Sequence, residues 1–245
     1  MPNISLFIPC LVQDCFPEIG LAAAAVLARA GASVGVPEGQ TCCGQFQYKR
    51  GFASQAAQLA VHFMDVFEGA EAVVAPTGSC VKMVRNYPGL FPPGSPERAR
   101  AKALAARTFE FCQYLVDELG VTDLGARFEA TAAYHDSCQV GRGLGIRTQP
   151  RALLAAVQGL TMLPLADEDR CCGFGGSFSM EFPEVSEAVL EDKVKSVLAS
   201  GAEVLVTAEP SCMMNLRGYF ERAGHPVRVL HIAQILAEQG GEGRP

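Results

Sequence analysis

The sequence predicts an α/β fold made of two tandem, pseudo-symmetric βαβ repeats, with short parallel sheets and cysteines at the carboxyl ends of the strands. Two observations carry this prediction. Short apolar segments alternate with helical ones along the 245 residues, which is typical of βαβ units and a parallel sheet. The pattern Cys…Cys-Cys-Gly…Cys also occurs twice, which indicates an internal repeat. We therefore predict two domains, covering residues 1–124 and 125–245.

The first repeat is predicted to contain three strands, each followed by a cysteine of the pattern. Pro9 is predicted to end the first strand, so that Cys10 lies in the loop that follows it. Pro37 is predicted to end the second strand. The strands lie at 4–8, 32–36 and 72–75. Apolar residues at helical spacing predict helices at 16–30, 53–68 and 97–119, and a loop rich in proline and glycine at 88–96.

The second repeat is predicted to follow the same order after a boundary near 121–128. Its strands are expected at 132–135, 162–165 and 204–207, and its helices at 151–157 and 185–199. Pro164 suggests an edge position for the middle strand, because proline cannot donate a hydrogen bond to a neighbouring strand.

Composition excludes several classes of function. Hydrophobic residues make up 49% of the chain, charged residues 19%, and the net charge is −6. A chain with this balance and without a basic cluster is not expected to bind nucleic acid. The first residues lack a charged and apolar leader, and no apolar run of about 18 residues occurs, so we expect neither a secretory signal nor a membrane span. A cytoplasmic location is the resulting expectation.

Eight of the ten cysteines belong to the repeated pattern. The gap before the cysteine pair is 31 residues in the first copy and 32 in the second, and the gap between the pair and the last cysteine is 36 and 39 residues. Disulfides are rare in a reducing compartment, so metal or redox chemistry is the first interpretation. The candidate ligands are Cys10, Cys42, Cys43 and Cys80 in the first copy and Cys138, Cys171, Cys172 and Cys212 in the second.

Four thiolates suit either zinc or an iron–sulfur cluster. Neighbouring cysteines fit one small ion poorly but can hold different irons of a larger cluster, so the cluster is favoured and zinc is the alternative. Cys112 lies in a helical pattern and is expected to be an ordinary buried cysteine. Cys15 is either a spare ligand or a reactive thiol. His135 could be a ligand or a proton donor, although an ordinary histidine at a strand end is the simpler interpretation.

The doubled Cys…Cys-Cys-Gly…Cys pattern resembles the cysteine-rich CCG domain family, which includes the heterodisulfide reductase B subunit and the iron–sulfur subunit of glycolate oxidase. The resemblance covers nearly the whole chain. It implies an iron–sulfur electron carrier, with one 4Fe-4S cluster per repeat, in a cytoplasmic system that oxidises L-lactate or a similar 2-hydroxy acid together with partner redox subunits. The two sets of four cysteines would each hold one cluster.

One departure from the family pattern bears on the alternatives. The fuller pattern ends in Cys-x-x-Cys, whereas Met83 and Asn215 stand at the last position here. The departure counts against a catalytic thiol-disulfide reductase of the heterodisulfide type. Besides the electron carrier and the thiol-disulfide reductase, a non-redox scaffold stabilised by zinc is the remaining hypothesis.

Overall fold

The computed structural model describes residues 1–239 and contains two four-stranded sheets in which all strands are parallel. The first sheet has the order β2-β1-β3-β4 and the second the order β6-β5-β7-β8. The two orders are the same when each repeat is counted from its own first strand. The strands are β1 (Asn3–Leu6), β2 (Ser33–Gly35), β3 (Ala72–Ala75), β4 (Thr108–Glu110), β5 (Arg127–His135), β6 (Gln158–Met162), β7 (Val204–Thr207) and β8 (Arg228–His231). The predicted α/β class with two parallel-sheet repeats is confirmed.

Helices connect the strands and cover both faces of the sheets, as parallel sheets require. They are α1 (Cys10–Cys15), α2 (Pro17–Arg29), α3 (Gln45–Lys49), α4 (Ala53–Val66), α5 (Gly78–Asn86), α6 (Pro96–Ala106), α7 (Phe111–Gln113), α8 (Thr148–Ala155), α9 (Phe178–Glu181), α10 (Pro183–Ser200), α11 (Pro210–Ala223) and α12 (Ile232–Ala237). A 3₁₀ turn covers Tyr87–Leu90, and π turns cover Tyr114–Glu118 and Gln139–Gly143. Across residues 1–239, none of these helices combines the length and the apolar character that crossing a membrane requires.

The two repeats share one hydrophobic core. Ile4 and Val74 of the first sheet belong to the same buried cluster as Ala132 and Val206 of the second. Helix α2 of the first repeat packs against α12 of the second, and the Arg29 guanidinium donates to the carbonyl groups of Leu236 and Ala237 at the end of α12. The repeats are therefore held together by apolar packing as well as by hydrogen bonds. The boundary at 124/125 remains a prediction.

The segment 97–119, predicted to be largely helical, is interrupted by a strand that the sequence did not indicate. Helix α6 ends at Ala106, the chain then forms β4, and α7 begins at Phe111. Thr108 is registered with Val73 of β3, so a long-range pairing overrides the local helical preference of the segment. A β-branched residue followed by an aromatic one at 108–109 is compatible with a strand.

Other boundaries shift, and several elements were not expected. Cys10 begins helix α1 instead of lying in a loop. The strand expected at 162–165 occupies Gln158–Met162, although its edge position is as predicted. Helices α5 and α11, which contain Cys80 and Cys212, and strand β8 had no counterpart in the sequence-based prediction.

Candidate metal centre

The cysteines of each repeat lie at the carboxyl ends of three neighbouring strands. In the first repeat Cys10 follows β1, Cys42 and Cys43 follow β2, and Cys80 follows β3. Cys138, Cys171, Cys172 and Cys212 occupy the equivalent places after β5, β6 and β7. Because the carboxyl ends of parallel strands meet at one edge of the sheet, the segments that follow three strands bring four thiols to one place in each repeat.

The four thiols of each set contact one another in the same order in both repeats. In the first repeat the Cys42 thiol interacts with the thiols of Cys10 and Cys43, and the Cys43 thiol interacts with that of Cys80. The four sulfurs therefore form a continuous row. The last two members of the row, Cys43 and Cys80, are buried and are called its inner members, whereas Cys10 is exposed.

The second repeat reproduces this row. Cys138 contacts Cys171, Cys171 contacts Cys172, and Cys172 contacts Cys212. The Sγ atoms of Cys172 and Cys212 are 3.0 Å apart. Both of these cysteines are buried, as Cys43 and Cys80 are, but Cys138 is half-buried where Cys10 is exposed.

The glycine of each Cys-Cys-Gly has a positive φ and an amide that faces a cysteine sulfur. Gly44 has φ 79° and Gly173 has φ 85°, a region that residues with a Cβ rarely adopt. Each amide donates to the first sulfur of its own pair, Cys42 or Cys171, over 3.4 Å. A Cβ on Gly173 would also lie 2.4 Å from the carbonyl oxygen of Ser186. Glycine thus allows the turn that presents the paired thiols.

The row of contacts makes Cys42 the most acidic thiol of the first set. Hydrogen bonds from Cys10 and Cys43, together with the amide of Gly44, lower the pKa of Cys42 to about 3 against the effect of burial. The bond to Cys42, followed by burial, raises the pKa of Cys10, and bonds to Cys42 and Cys80 raise the pKa of Cys43. A lowered pKa favours the thiolate form of Cys42, which is the form that binds metals.

Burial and thiol contacts also shift the pKa values of two cysteines in the second set. A hydrogen bond to Cys171, followed by burial, raises the pKa of Cys138. The bond with Cys171 lowers the pKa of Cys172, but the bond to Cys212 and burial outweigh it, so that the pKa is raised well above its ordinary value.

Both rows line a single cavity between the repeats. Its volume is about 460 Å³, and all eight cysteines of the repeated pattern contribute to its wall. Helices α3 and α9, which follow the two Cys-Cys-Gly turns, lie beside it, with Phe46 and Met180 contributing exposed side chains. An ion pair between Arg50 and Glu181 joins the two repeats next to these helices. The two sets of thiols therefore belong to one site with two halves.

Each Cys-Cys-Gly turn is also anchored through a backbone carbonyl group. The Tyr87 hydroxyl donates to the carbonyl oxygen of Cys43 over 2.8 Å. The Asn215 side-chain amide donates to the carbonyl oxygen of Cys172 over 2.7 Å. Asn215 stands where the fuller family pattern has its last cysteine, so this side chain supports the turn through the backbone.

A buried carboxylate connects the two halves of the site. Glu209 is 1% exposed and lines the cavity. It accepts hydrogen bonds from the backbone amide of Ser79 at 2.8 Å, from the hydroxyl groups of Thr77 and Ser79 at 3.0 Å each, and from the hydroxyl of Ser211 at 3.1 Å. Three of these four donors belong to the other repeat, so Glu209 fixes the loop before Cys80 relative to the loop before Cys212.

His135 lies at the end of β5 against the inner cysteines of the second set. Within residues 1–239, its ring and the sulfurs of Cys172 and Cys212 are the one group of three candidate ligands whose atoms all lie within 4.8 Å of one another. Burial, with smaller effects from Lys193 and Arg142, lowers the pKa of His135 to about 3. The ring is therefore neutral at physiological pH.

The remaining cysteines lie elsewhere. Cys15 is exposed at the end of α1, and Cys112 is fully buried in the shared core, as expected for an ordinary core cysteine. Neither residue is among those that line the cavity.

Two features of the site were not recognised in the sequence. The convergence of the two sets on one cavity depends on how the repeats pack, and spacing within one repeat carries no signal for it. Glu209 could have been noticed as the residue that replaces Thr77 when the segments before Cys80 and Cys212 are aligned.

This arrangement defines a class of cysteine-rich protein with duplicated thiol sites. The family model described as CCG, cysteine-rich domain, matches residues 4–85 and again residues 132–217. The chain belongs to this family, and the two matches contain the two rows of thiols.

Several curated proteins are similar to the chain over nearly its full length. "Lactate utilization protein A" of Exiguobacterium sp. is 49% identical over 240 residues, covering 97% of this chain and 98% of that protein. The protein of the same name from Anoxybacillus flavithermus is 42% identical over 234 residues, with coverage of 96% and 98%. "Lactate utilization protein A 1" of Bacillus mycoides is 41% identical over 242 residues, with coverage of 98% and 99%.

A solved structure of a candidate Asp/Glu racemase from Yersinia pestis covers 97% of this chain and 96% of its own at 13% identity. Its TM-score of 0.38 is too low for a conclusion about fold or function.

Proposed function

We propose that the chain is the iron–sulfur electron-transfer subunit of a cytoplasmic system that oxidises L-lactate, or a similar 2-hydroxy acid, together with partner redox subunits. Cys10, Cys42, Cys43 and Cys80 would hold one 4Fe-4S cluster. Cys138, Cys171, Cys172 and Cys212 would hold the other. The observation that carries the proposal is the pair of equivalent four-thiol rows that face one cavity.

The shape of each row favours a cluster over a single zinc ion. In a tetrahedral zinc site with Zn–S bonds of about 2.3 Å, all sulfurs lie about 3.8 Å from one another. Within residues 1–239, no set of four thiols comes as close together as that, because the one mutually close group contains two cysteines and His135. A row of thiols can instead serve several irons of a larger cluster.

The residues around each row prepare it for a negatively charged cluster. The amides of Gly44 and Gly173 point at sulfurs and donate hydrogen bonds to them, which stabilises thiolate charge and tunes a bound metal. The carbonyl groups of Cys43 and Cys172 are held by Tyr87 and Asn215, so the paired cysteines keep their orientation. The inner sulfurs are shielded from water by burial.

When bound, an iron–sulfur cluster supplies one-electron transfer. Oxidation of a 2-hydroxy acid to a 2-oxo acid releases two electrons and two protons, so two centres match the electrons of one turnover. The chain carries no flavin or nicotinamide motif, and we assign the oxidation of the substrate to a partner subunit. The names of the curated relatives support lactate as the substrate.

Analysis of anaerobically purified protein tests the proposal. We expect iron and acid-labile sulfide together, and an electron paramagnetic resonance signal that changes on reduction with dithionite. In the presence of its partner subunits, L-lactate should replace dithionite as the reductant. Zinc without sulfide, or a visible spectrum without features, would contradict the proposal.

One observation favours a second candidate function, that of a thiol-disulfide reductase. The sulfurs of Cys172 and Cys212 are 3.0 Å apart, close enough for these two thiols to be oxidised to a disulfide while a substrate disulfide is reduced to two thiols. This candidate requires turnover of a disulfide by the isolated chain, with loss of turnover in Cys212→Ser. Turnover without bound iron would favour it over electron transfer.

A further inference from the structure

We propose that His135 is a metal ligand of the second repeat, so that the second centre has mixed histidine and cysteine ligation whereas the first is held by thiolates alone. The proposal rests on the proposed function, which places a metal centre in each repeat, and assigns a ligand to one of them. The neutral imidazole would act together with Cys172 and Cys212 and would replace one of the two outer thiolates, Cys138 or Cys171, among the four ligands of the second cluster.

The position of the ring is the first argument. The ligand atoms of His135, Cys172 and Cys212 all lie within 4.8 Å of one another, and all three residues are buried. The two cysteines are the buried members of their row and line the cavity, whereas the fully buried His135 contributes nothing to its wall.

The unsatisfied hydrogen-bonding capacity of the ring is the second argument. His135 is 0% exposed, and neither Nδ1 nor Nε2 has a hydrogen-bond partner among the described residues. Burial of a polar group without a partner is costly, and native proteins nearly always avoid it. A metal bound to one nitrogen would use this otherwise unsatisfied group.

The two repeats differ at this position. His135 lies three residues before Cys138, and Phe7 lies three residues before Cys10. The Phe7 ring packs against Phe63, with ring centroids 4.8 Å apart, in a fully apolar environment. The first repeat therefore shows that the fold accommodates a phenylalanine at the equivalent position.

Unequal ligands imply unequal electron affinity. In iron–sulfur centres, replacing thiolate by neutral imidazole raises the reduction potential, because less negative charge reaches the metal. The second centre should therefore be reduced before the first, and electrons would pass from the first repeat to the second across the shared cavity.

Pulsed electron paramagnetic resonance on protein labelled with ¹⁵N-histidine tests the assignment. The chain has four histidines, so the label is selective. We expect a histidine-nitrogen hyperfine coupling in the dithionite-reduced protein, and its loss in His135→Phe, which copies Phe7. The control is His62→Gln at an exposed site, where the coupling should remain. The double variant Cys42→Ala/Cys43→Ala removes the first site and should also retain the coupling.

The outcomes separate this assignment from the proposed function. A reduced iron–sulfur signal without histidine coupling, or a coupling that persists in His135→Phe, would overturn the assignment and leave the proposed function standing. Zinc without iron would contradict the proposed function, and metal retention would then decide the assignment. In the Cys42→Ala/Cys43→Ala background, His135→Phe should weaken metal binding by at least about tenfold, since even loss of a partner behind a ligand costs that much. Equal metal retention with and without His135→Phe in this background would overturn the assignment of His135 as a ligand.

Discussion

The carboxylate of Glu209 in the second repeat accepts a 2.8 Å hydrogen bond from the backbone amide of Ser79 in the first. Ser79 directly precedes Cys80, and Glu209 lies three residues before Cys212. Ser79 and Cys80 lie at the start of α5, and Ser211 and Cys212 at the start of α11, so the same buried carboxylate contacts both helices that carry the last cysteine of a row. We infer that the relative position of the two thiol rows depends on Glu209.

Replacement of Glu209 should destabilise the protein. Glu209→Ala leaves the buried amide of Ser79 and the hydroxyl of Thr77 without their acceptor, which should lower the free energy of unfolding by about 3 kcal/mol. Glu209→Gln keeps an acceptor oxygen and should cost less. Denaturant unfolding measures both, with Glu187→Ala on the exposed face of α10 as the control. Equal stability of Glu209→Ala and the control would show that the contact between the repeats contributes nothing.

Gly78 should not tolerate a side chain. A Cβ at this position would lie 2.5 Å from Cγ2 of Val140 and 3.1 Å from its Cα, in the π turn that follows Cys138. Gly78→Ala should therefore push α5 of the first repeat away from the second repeat and lower the free energy of unfolding by about 1–3 kcal/mol. Gly69→Ala is the matched control, because a Cβ there meets nothing within 4 Å. An unchanged denaturation midpoint for Gly78→Ala would mean that the repeats can separate here without cost.

The elements that could be predicted were those with a strong local pattern. Strands β3 and β7 were placed at their observed residues, because each is a short apolar run between turn signals. Strand β4 was absorbed into a predicted helix, since nothing local indicates that Thr108 pairs with Val73. The grouping of cysteines after the strands followed from the repeat. The shared cavity and the hydrogen bond between Glu209 and Ser79 could not be predicted from the repeat, because both depend on how the two repeats pack.

Glu110 should make stability fall as the pH rises towards neutrality. Burial raises the pKa of this N-cap carboxyl group from 4.5 to about 7, against hydrogen bonds from Gln113 and Cys112. Between these two values the folded state binds more protons than the unfolded state. Stability from protonated Glu110 is therefore complete below pH 4.5 and is lost as the pH rises through 7, by about 3 kcal/mol.

Glu110→Gln cannot titrate, and the comparison isolates this effect. From pH 5 to pH 8 the free energy of unfolding of the variant, measured relative to the wild type, should increase by about 3 kcal/mol. A difference between variant and wild type that does not change with pH would exclude a raised pKa at Glu110.

His231 occupies the equivalent N-cap position in the second repeat, and its effect has the opposite sign. Burial lowers its pKa from 6.5 to about 4, and its Nδ1 accepts a hydrogen bond from the amide of Ala233. The unfolded state binds a proton that the folded state does not, so stability present above pH 6.5 is lost as the pH falls towards 4. His231→Asn keeps a good N-cap and does not titrate in this range. Between pH 7.5 and 4.5 the wild type should lose about 3 kcal/mol more than the variant, and parallel losses in a denaturant titration would refute this.

The measurement that tests the central claim most directly is the iron and sulfide content of two matched double variants, Cys42→Ala/Cys43→Ala and Cys171→Ala/Cys172→Ala, purified without oxygen. Each should retain half of the wild-type iron and sulfide, and combining the four substitutions should remove both. The control variant Cys15→Ser, at a residue that does not line the cavity, should retain all of the wild-type iron and sulfide. If either double variant keeps all of its iron, or if one of them loses all of it, the chain does not hold one independent cluster in each repeat.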